Sequence, residues 1–238
     1  ELPVGRKGKL EGVVTLRELM KRHNVPPTTK VSTVLVKAPV MSPEATLPAA
    51  AEELITTGFR ALPVVQGKKL LGIVSRTDLV RALVATQALE GLAVRDFMTP
   101  NPQAVAENET IDRAVHLMQS LGERSLPVVD KNRHLKGVIG MKDVTDVFAR
   151  PRMRQRYGER AGSEIKVELE VKSVMHYPPV TMGIEGTLAH AAELMLKNDV
   201  SSVIITDEDE PVGIVTKLDL MHFLAGLQER DQLFVEIS

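Results

Sequence analysis

Apolar positions along the chain follow two alternating rhythms. Leu47, Ala50, Ala51 and Leu54 fall at i, i+3, i+4 and i+7. The same spacing returns at Ile111, Ala114, Val115 and Met118, and at Leu188, Ala191, Ala192 and Met195. This period predicts amphipathic helices. Each stretch is preceded by a threonine (Thr46, Thr110, Thr187) placed to cap its first turn, and Gly58 stands where the first helix should end. Between the helical stretches lie short β-branched runs: Leu62-Pro63-Val64-Val65, Leu126-Pro127-Val128-Val129 and Val203-Ile204-Ile205. Polar turns at 66–69, 130–134 and 207–210 follow, then a second apolar run, which predicts hairpins.

The second run of each hairpin is one recurring phrase. It reads Gly213-Ile214-Val215-Thr216-Lys217-Leu218-Asp219-Leu220, then Gly72-Ile73-Val74-Ser75-Arg76-Thr77-Asp78-Leu79, then Gly137-Val138-Ile139-Gly140-Met141-Lys142-Asp143-Val144. A weaker copy is Gly12-Val13-Val14-Thr15-Leu16-Arg17-Glu18-Leu19. Glycines at 12, 72, 137 and 213 set a repeat of about 60 residues, with one longer spacer before the last copy. The unit is strand, helix, strand, strand, helix, so the fold class is α+β.

Residues 1–22 read as the back half of a first repeat: a strand at Leu2-Pro3-Val4, a turn, a second strand and the start of a helix. The front half is absent, so the chain is expected to begin inside a module. His23-Asn24-Val25-Pro26-Pro27 interrupts that helix. Repeat two spans 34–90, repeat three 94–149 and repeat four 171–226. Residues 150–170 form a basic linker. Residues 227–238 read as the start of a further segment, with Phe234-Val235-Glu236-Ile237-Ser238 as a strand. A unit of roughly 55 residues buries too little of its surface to stand alone. Pairing of repeat one with two, and of three with four, is the expected remedy.

Composition narrows the function. The 238 residues carry a net charge of −1, which argues against a globally basic nucleic-acid binder but leaves room for a local patch. Aromatics are 3% of the chain, so the cores must be aliphatic, with Met118, Met195 and Met221 at core spacing. No cysteine is present, which excludes disulfides and thiolate chemistry. No apolar run approaches the ~18 residues of a membrane span, so a cytoplasmic protein is the default expectation. The six histidines make no metal-ligand spacing, and His190 and His222 should face solvent. No Ser-His-Asp signature can be assembled, so no enzyme is predicted.

Leu-Pro-Val-Val, followed ten or eleven residues beyond its Leu by Gly-x-x-Ser/Thr-x-x-Asp, resembles the CBS domain. Val94-Arg95-Asp96-Phe97-Met98-Thr99-Pro100 and Val171-Lys172-Ser173-Val174-Met175 are similar to that family's opening segments. The resemblance implies four tandem units, the first truncated, paired into two Bateman modules. It also implies adenosine ligands (AMP, ADP, ATP or S-adenosylmethionine) in clefts between paired units, with no cofactor required. A carboxylate at the helix start would accept the vicinal hydroxyls of a ribose. A hydroxyl and the helix N-terminus would receive a phosphate.

Carried over residue by residue, this implicates Thr216, Lys217, Asp219 and Ser201 in repeat four, and Ser75, Arg76, Asp78, Arg60 and Ala61 in repeat two. In repeat three Gly140 replaces the hydroxyl, while Asp143, Thr99 and Arg124 remain. The partner of such a sensor would be an unknown protein or a further domain, and a homodimer is compatible with the scaffold. An Asp opening a helix also stabilises that helix with no ligand present. A second reading is a ribosome- or RNA-docking factor, using Arg150, Arg152, Arg154, Arg156 and Arg160 on phosphates.

Overall fold

The computed structural model describes residues 1–15, 18–19, 26, 28–123, 125–149 and 169–235. They form two compact units, one of residues 1–88 with 217–238, the other of residues 89–216. The first unit holds β1 (Leu2–Arg6), β2 (Lys9–Val14), α1 (Leu47–Thr57), β3 (Ala61–Gln66), β4 (Lys69–Ser75) and α2 (Arg76–Ala85). The second holds β5 (Thr99–Pro100), β6 (Val105–Ala106), α3 (Ile111–Leu121), β7 (Ser125–Val129), β8 (Leu135–Gly140), α4 (Met141–Ala149), β9 (Thr181–Gly183), α5 (Leu188–Lys197), β10 (Ser202–Asp207) and β11 (Glu210–Thr216). The chain returns to the first unit with α6 (Lys217–Val235).

Local chemistry places the helices where the periodicity put them. Thr46, Thr110 and Thr187 are N-caps, accepting the N–H groups of Ala49, Arg113 and His190. Gly58 and Gly122 close α1 and α3 in the left-handed conformation. Leu54, Met118 and Met195 are buried on the predicted faces. His190 and His222 are exposed.

The four hairpins share one register. Leu2, Leu62 and Leu126 stand opposite Val14, Val74 and Ile139, and Val203 stands opposite Val215. Two residues on, Val4, Val64, Val128 and Ile205 face Gly12, Gly72, Gly137 and Gly213. The register then shifts in all four, skipping Glu11, Leu71, Lys136 and Val212. Such a bulge bends the strand and increases its twist.

A lead-in segment from the companion repeat crosses three of these hairpins. Val36 exchanges both backbone hydrogen bonds with Val13, at 3.0 and 2.9 Å. His176 does the same with Val138, at 2.8 and 3.2 Å. Thr99 and Pro100 pair with Ile214 and Gly213, while Asn101 N–H reaches the Val212 carbonyl at 2.9 Å. Each crossing lies against a glycine of the recurring phrase. A Cβ at Gly137 would stand 2.8 Å from the His176 oxygen, and one at Gly12 would stand 2.9 Å from the Val36 oxygen. At Gly213 the side chain of Met98 fills the space.

The strand expected at 234–238 does not begin at Phe234. Phe234 and Val235 belong to α6, and 236–238 lie outside the described residues. From Leu227 to Leu233 the sequence is Gln, Glu, Arg, Asp and Gln between leucines, mostly good helix formers with no Gly or Pro, so the helix runs on. Leu220, Met221 and Leu224 are buried, and α6 lies against α1 and α2.

Substituting Gly137 by Val should destabilise the chain by about 1–3 kcal/mol, the range for overpacking a filled site. Urea unfolding checks this. A midpoint equal to that of the parent would contradict the packing described.

Candidate ligand-binding site

In the first unit, Ser75 ends β4 and caps α2. Its Oγ accepts the Asp78 N–H at 3.3 Å and donates to Asp78 Oδ2 at 2.6 Å. Its own N–H donates to the same oxygen at 2.9 Å, completing a capping box. Arg81 Nη1 holds Asp78 Oδ1 at 2.8 Å. Partial burial pushes the Asp78 carboxyl up, but the hydrogen bonds from Ser75 and the charge of Arg81 outweigh it and hold the group below the usual carboxylate range. The carboxylate is therefore ionised near neutral pH and about half exposed, at 47%. Ala61 stands opposite Ser75, and the Arg60 carbonyl accepts the Arg76 N–H at 3.0 Å. Arg60, Ala61, Ser75 and Asp78 thus meet at one end of the β3–β4 hairpin.

Arg76, which the resemblance implicated in ligand binding, makes a contact within the protein. Its side chain is buried and Nη2 donates to the Leu54 carbonyl of α1 at 3.1 Å. Lys217, at the same place in its own phrase, is also buried, and its Nζ donates to Thr77 Oγ1 at 2.9 Å. The residue after the hydroxyl is turned into the helix layer, where each cation ties two helices together. Asp219 lies in the first turn of α6, and Thr216, the last residue of β11, stands opposite Ser202.

In the second unit, Gly140 N–H donates to Asp143 Oδ2 at 2.7 Å. Asp143 thus clips the start of α4 as Asp78 clips α2, without a hydroxyl. A cleft of about 150 Å³ opens between the hairpins of repeats three and four. Its walls include Thr99, Asn101, Glu123, Ser125, Pro127 and Ile214. Thr99 reaches it because β5 pairs with β11. Ser125 Oγ lies 3.4 Å from Ser202 Oγ.

Of the residues named from sequence, Thr99 lines this cleft. Ser201 is exposed beside Ser202. Arg124, Arg150, Arg152, Arg154, Arg156 and Arg160 lie outside the described residues. Ser125, Asn101 and Ile214, which also line it, were not among the candidate binding residues. The signal for Ser125 and Ser202 was available: both occupy the position of Ala61, one residue ahead of the first hairpin strand's Leu or Val. Among the described residues, no helix is long and apolar enough to cross a membrane.

The CBS domain profile matches residues 25–85, 94–150 and 171–226, which is most of the chain. The chain belongs to the CBS-domain family. It is similar to protein MJ1404 of Methanocaldococcus jannaschii, 24% identical over 227 residues, covering 94% of the chain and 53% of that protein. The chain thus spans about half the length of this relative. It is also similar to inosine-5'-monophosphate dehydrogenase of Thermoplasma acidophilum, 34% identical over 104 residues, but the match covers 20% of that enzyme. Two solved structures share the fold. A conserved protein of Pyrococcus horikoshii has a TM-score of 0.68 and 20% identity, over 93% of this chain and 89% of that one. Protein MJ1225 of M. jannaschii has a TM-score of 0.67 and 20% identity, over 81% and 69%.

The Asp78 capping box has a pH signature. Its pKa is lower folded than unfolded, so its contribution is present above the ordinary carboxylate range and is lost as pH falls through the folded value. Asp78→Asn should flatten the acid limb of the stability–pH curve while barely changing its slope above pH ~6. Thermal unfolding between acid and neutral pH checks this.

Proposed function

We propose that the protein is a non-enzymatic regulator whose CBS units bind an adenosine-containing ligand (AMP, ADP, ATP or S-adenosylmethionine) and pass the state to a protein partner. We also read β1–β2 as the second half of a further CBS unit, which gives four units paired into two modules. The observation that carries the ligand reading is the cleft of the second unit. Pro127 and Ile214 offer apolar walls, while Thr99, Asn101 and Ser125 converge as polar groups. That mixture suits a planar base presented with hydrogen-bonding edges. At about 150 Å³ the cleft is smaller than the roughly 300–1,000 Å³ of ordinary ligand pockets. It would enclose a base or a sugar, with the phosphate end outside.

The aspartates at the helix starts supply the sugar contact in this reading. A carboxylate has about four acceptor positions. At Asp78, Oδ2 takes two bonds from Ser75 and Oδ1 takes one from Arg81. Arg81 is well exposed and can yield its place to a ribose hydroxyl. A bound ligand shifts the arrangement of paired units only by its differential affinity for the two states.

Titration calorimetry with AMP, ADP, ATP and S-adenosylmethionine tests the reading. At least one should bind, and Ser125→Tyr, which fills the cleft, should abolish binding at that site. Asp78→Ala with Asp219→Ala should weaken binding at the helix-start sites by about 1.5–3 kcal/mol, the value of a charge-assisted hydrogen bond. No heat from any of the four ligands, or unchanged affinities in both variants, would refute the proposal.

A further inference from the structure

Within each unit the turns of two hairpins lie side by side. Leu70 N–H donates to the Gly8 carbonyl at 3.0 Å, which sets the β3–β4 turn against the β1–β2 turn. Leu135 N–H donates to the Asp209 carbonyl at 3.0 Å and joins the β7–β8 and β10–β11 turns in the same way. Counted from the glycines of the recurring phrase, Gly8 matches Asp209 and Leu70 matches Leu135. The two junctions can therefore be compared position by position.

In the second unit the charges at the junction offset one another. Arg133 Nε lies 4.0 Å from Glu210 Oε2, and Lys136 Nζ lies 3.1 Å from Asp130 Oδ2. In the first unit the sign is reversed and nothing offsets it. Arg6, Lys7, Gly8 and Lys9 occupy the places of Asp207, Glu208, Asp209 and Glu210. The adjoining turn adds Lys68 and Lys69. Lys9 and Lys69 are direct partners in the pairing of β2 with β4, a like-charge pair that weakens a sheet. Lys7 takes φ 52° ahead of Gly8 at 76°, in a turn whose usual first residue is Asn or Asp. All five cations are exposed. Glu11, 3.1 Å from Arg6, is the one carboxylate on β1 to β4. Among the described residues, Lys7, Lys9, Lys68 and Lys69 have no ion-pair partner. Neither sheet pairing nor turn preference accounts for lysine at these places.

The kind of partner follows from what the surface lacks. Residues 6–9 and 66–69 include no large apolar side chain. The surface has neither the apolar centre of a protein–protein interface nor a group to enter a lipid layer. It has no aromatic ring on which a base could stack. Interfaces with nucleic acid are more polar and more positive than those between proteins. Lysine meets a phosphate as a point charge and carries no sequence information in doing so.

We propose that Arg6, Lys7, Lys9, Lys68 and Lys69 form an interaction surface for the phosphate backbone of a nucleic acid, held without reading its bases. The surface lies at the opposite end of the β3–β4 hairpin from Ala61 and Ser75. It is independent of the adenosine reading and stands or falls apart from it.

Fluorescence anisotropy with a labelled poly(U) RNA tests this. Binding is expected at low salt. The logarithm of affinity should fall against the logarithm of salt concentration with a slope of about −3.5, if each cation neutralises one phosphate. A variant with Lys7→Gln, Lys9→Gln, Lys68→Gln and Lys69→Gln should bind about tenfold more weakly or worse, with a slope of about −0.7. Its melting temperature should match or exceed the parent's, because a like-charge pair is gone, so lost binding is not lost folding. Absence of binding at low salt overturns the proposal, as does equal affinity and slope in parent and variant. Tighter binding to vesicles containing phosphatidylserine than to the RNA also overturns it, in favour of a lipid surface. So does a dimer mass in sedimentation that the variant loses, since a second copy would then be the occupant.

Discussion

A pair of backbone hydrogen bonds between one repeat's lead-in and its companion's hairpin governs this protein. A strand edge left open exposes unpaired N–H and C=O groups. Here the lead-in residues Val36, Thr99 and His176 close those edges at Val13, Ile214 and Val138. The close approach requires a residue without a side chain at 12, 137 and 213, since a Cβ there would meet the crossing segment. In these three hairpins the edge is closed by chain that belongs to another repeat.

The cleft of the second unit is a product of the same exchange. Thr99 comes from the lead-in of repeat three, Ser125 from its hairpin and Ile214 from the hairpin of repeat four. None of these belongs to a ready-made local motif. They converge only when the two repeats are paired, so whatever occupies the cleft interacts with the pairing itself.

Much of the scaffold was legible because its signals were local. Threonine caps, helical spacing and the Leu-Pro-Val runs all depend on neighbours within a few residues, and all took the expected form. The destinations of long side chains were not legible. Arg76 and Lys217 were implicated in ligand binding by the resemblance, and a buried carbonyl of α1 and a hydroxyl of α2 receive them. Their direction is set by helix packing, which no spacing rule encodes. The extent of α6 was misjudged for a different reason. Phe234 and Val235 favour strands individually, but a helix already propagating through seven compatible residues extends at little cost. Ser125 and Ser202 share the position of Ala61 in their repeats, but their approach to 3.4 Å across 77 positions is visible only in the fold.

The clip between a carboxylate and the start of its helix has an evolutionary side. At Ser75 the clip uses a hydroxyl and a backbone amide, and at Gly140 it uses the amide with no hydroxyl at that position. Such an aspartate is therefore held in place by the architecture of its helix start, with no ligand required. A change in the residue ahead of the helix, from Ser75 to Gly140, thus leaves the clip itself standing.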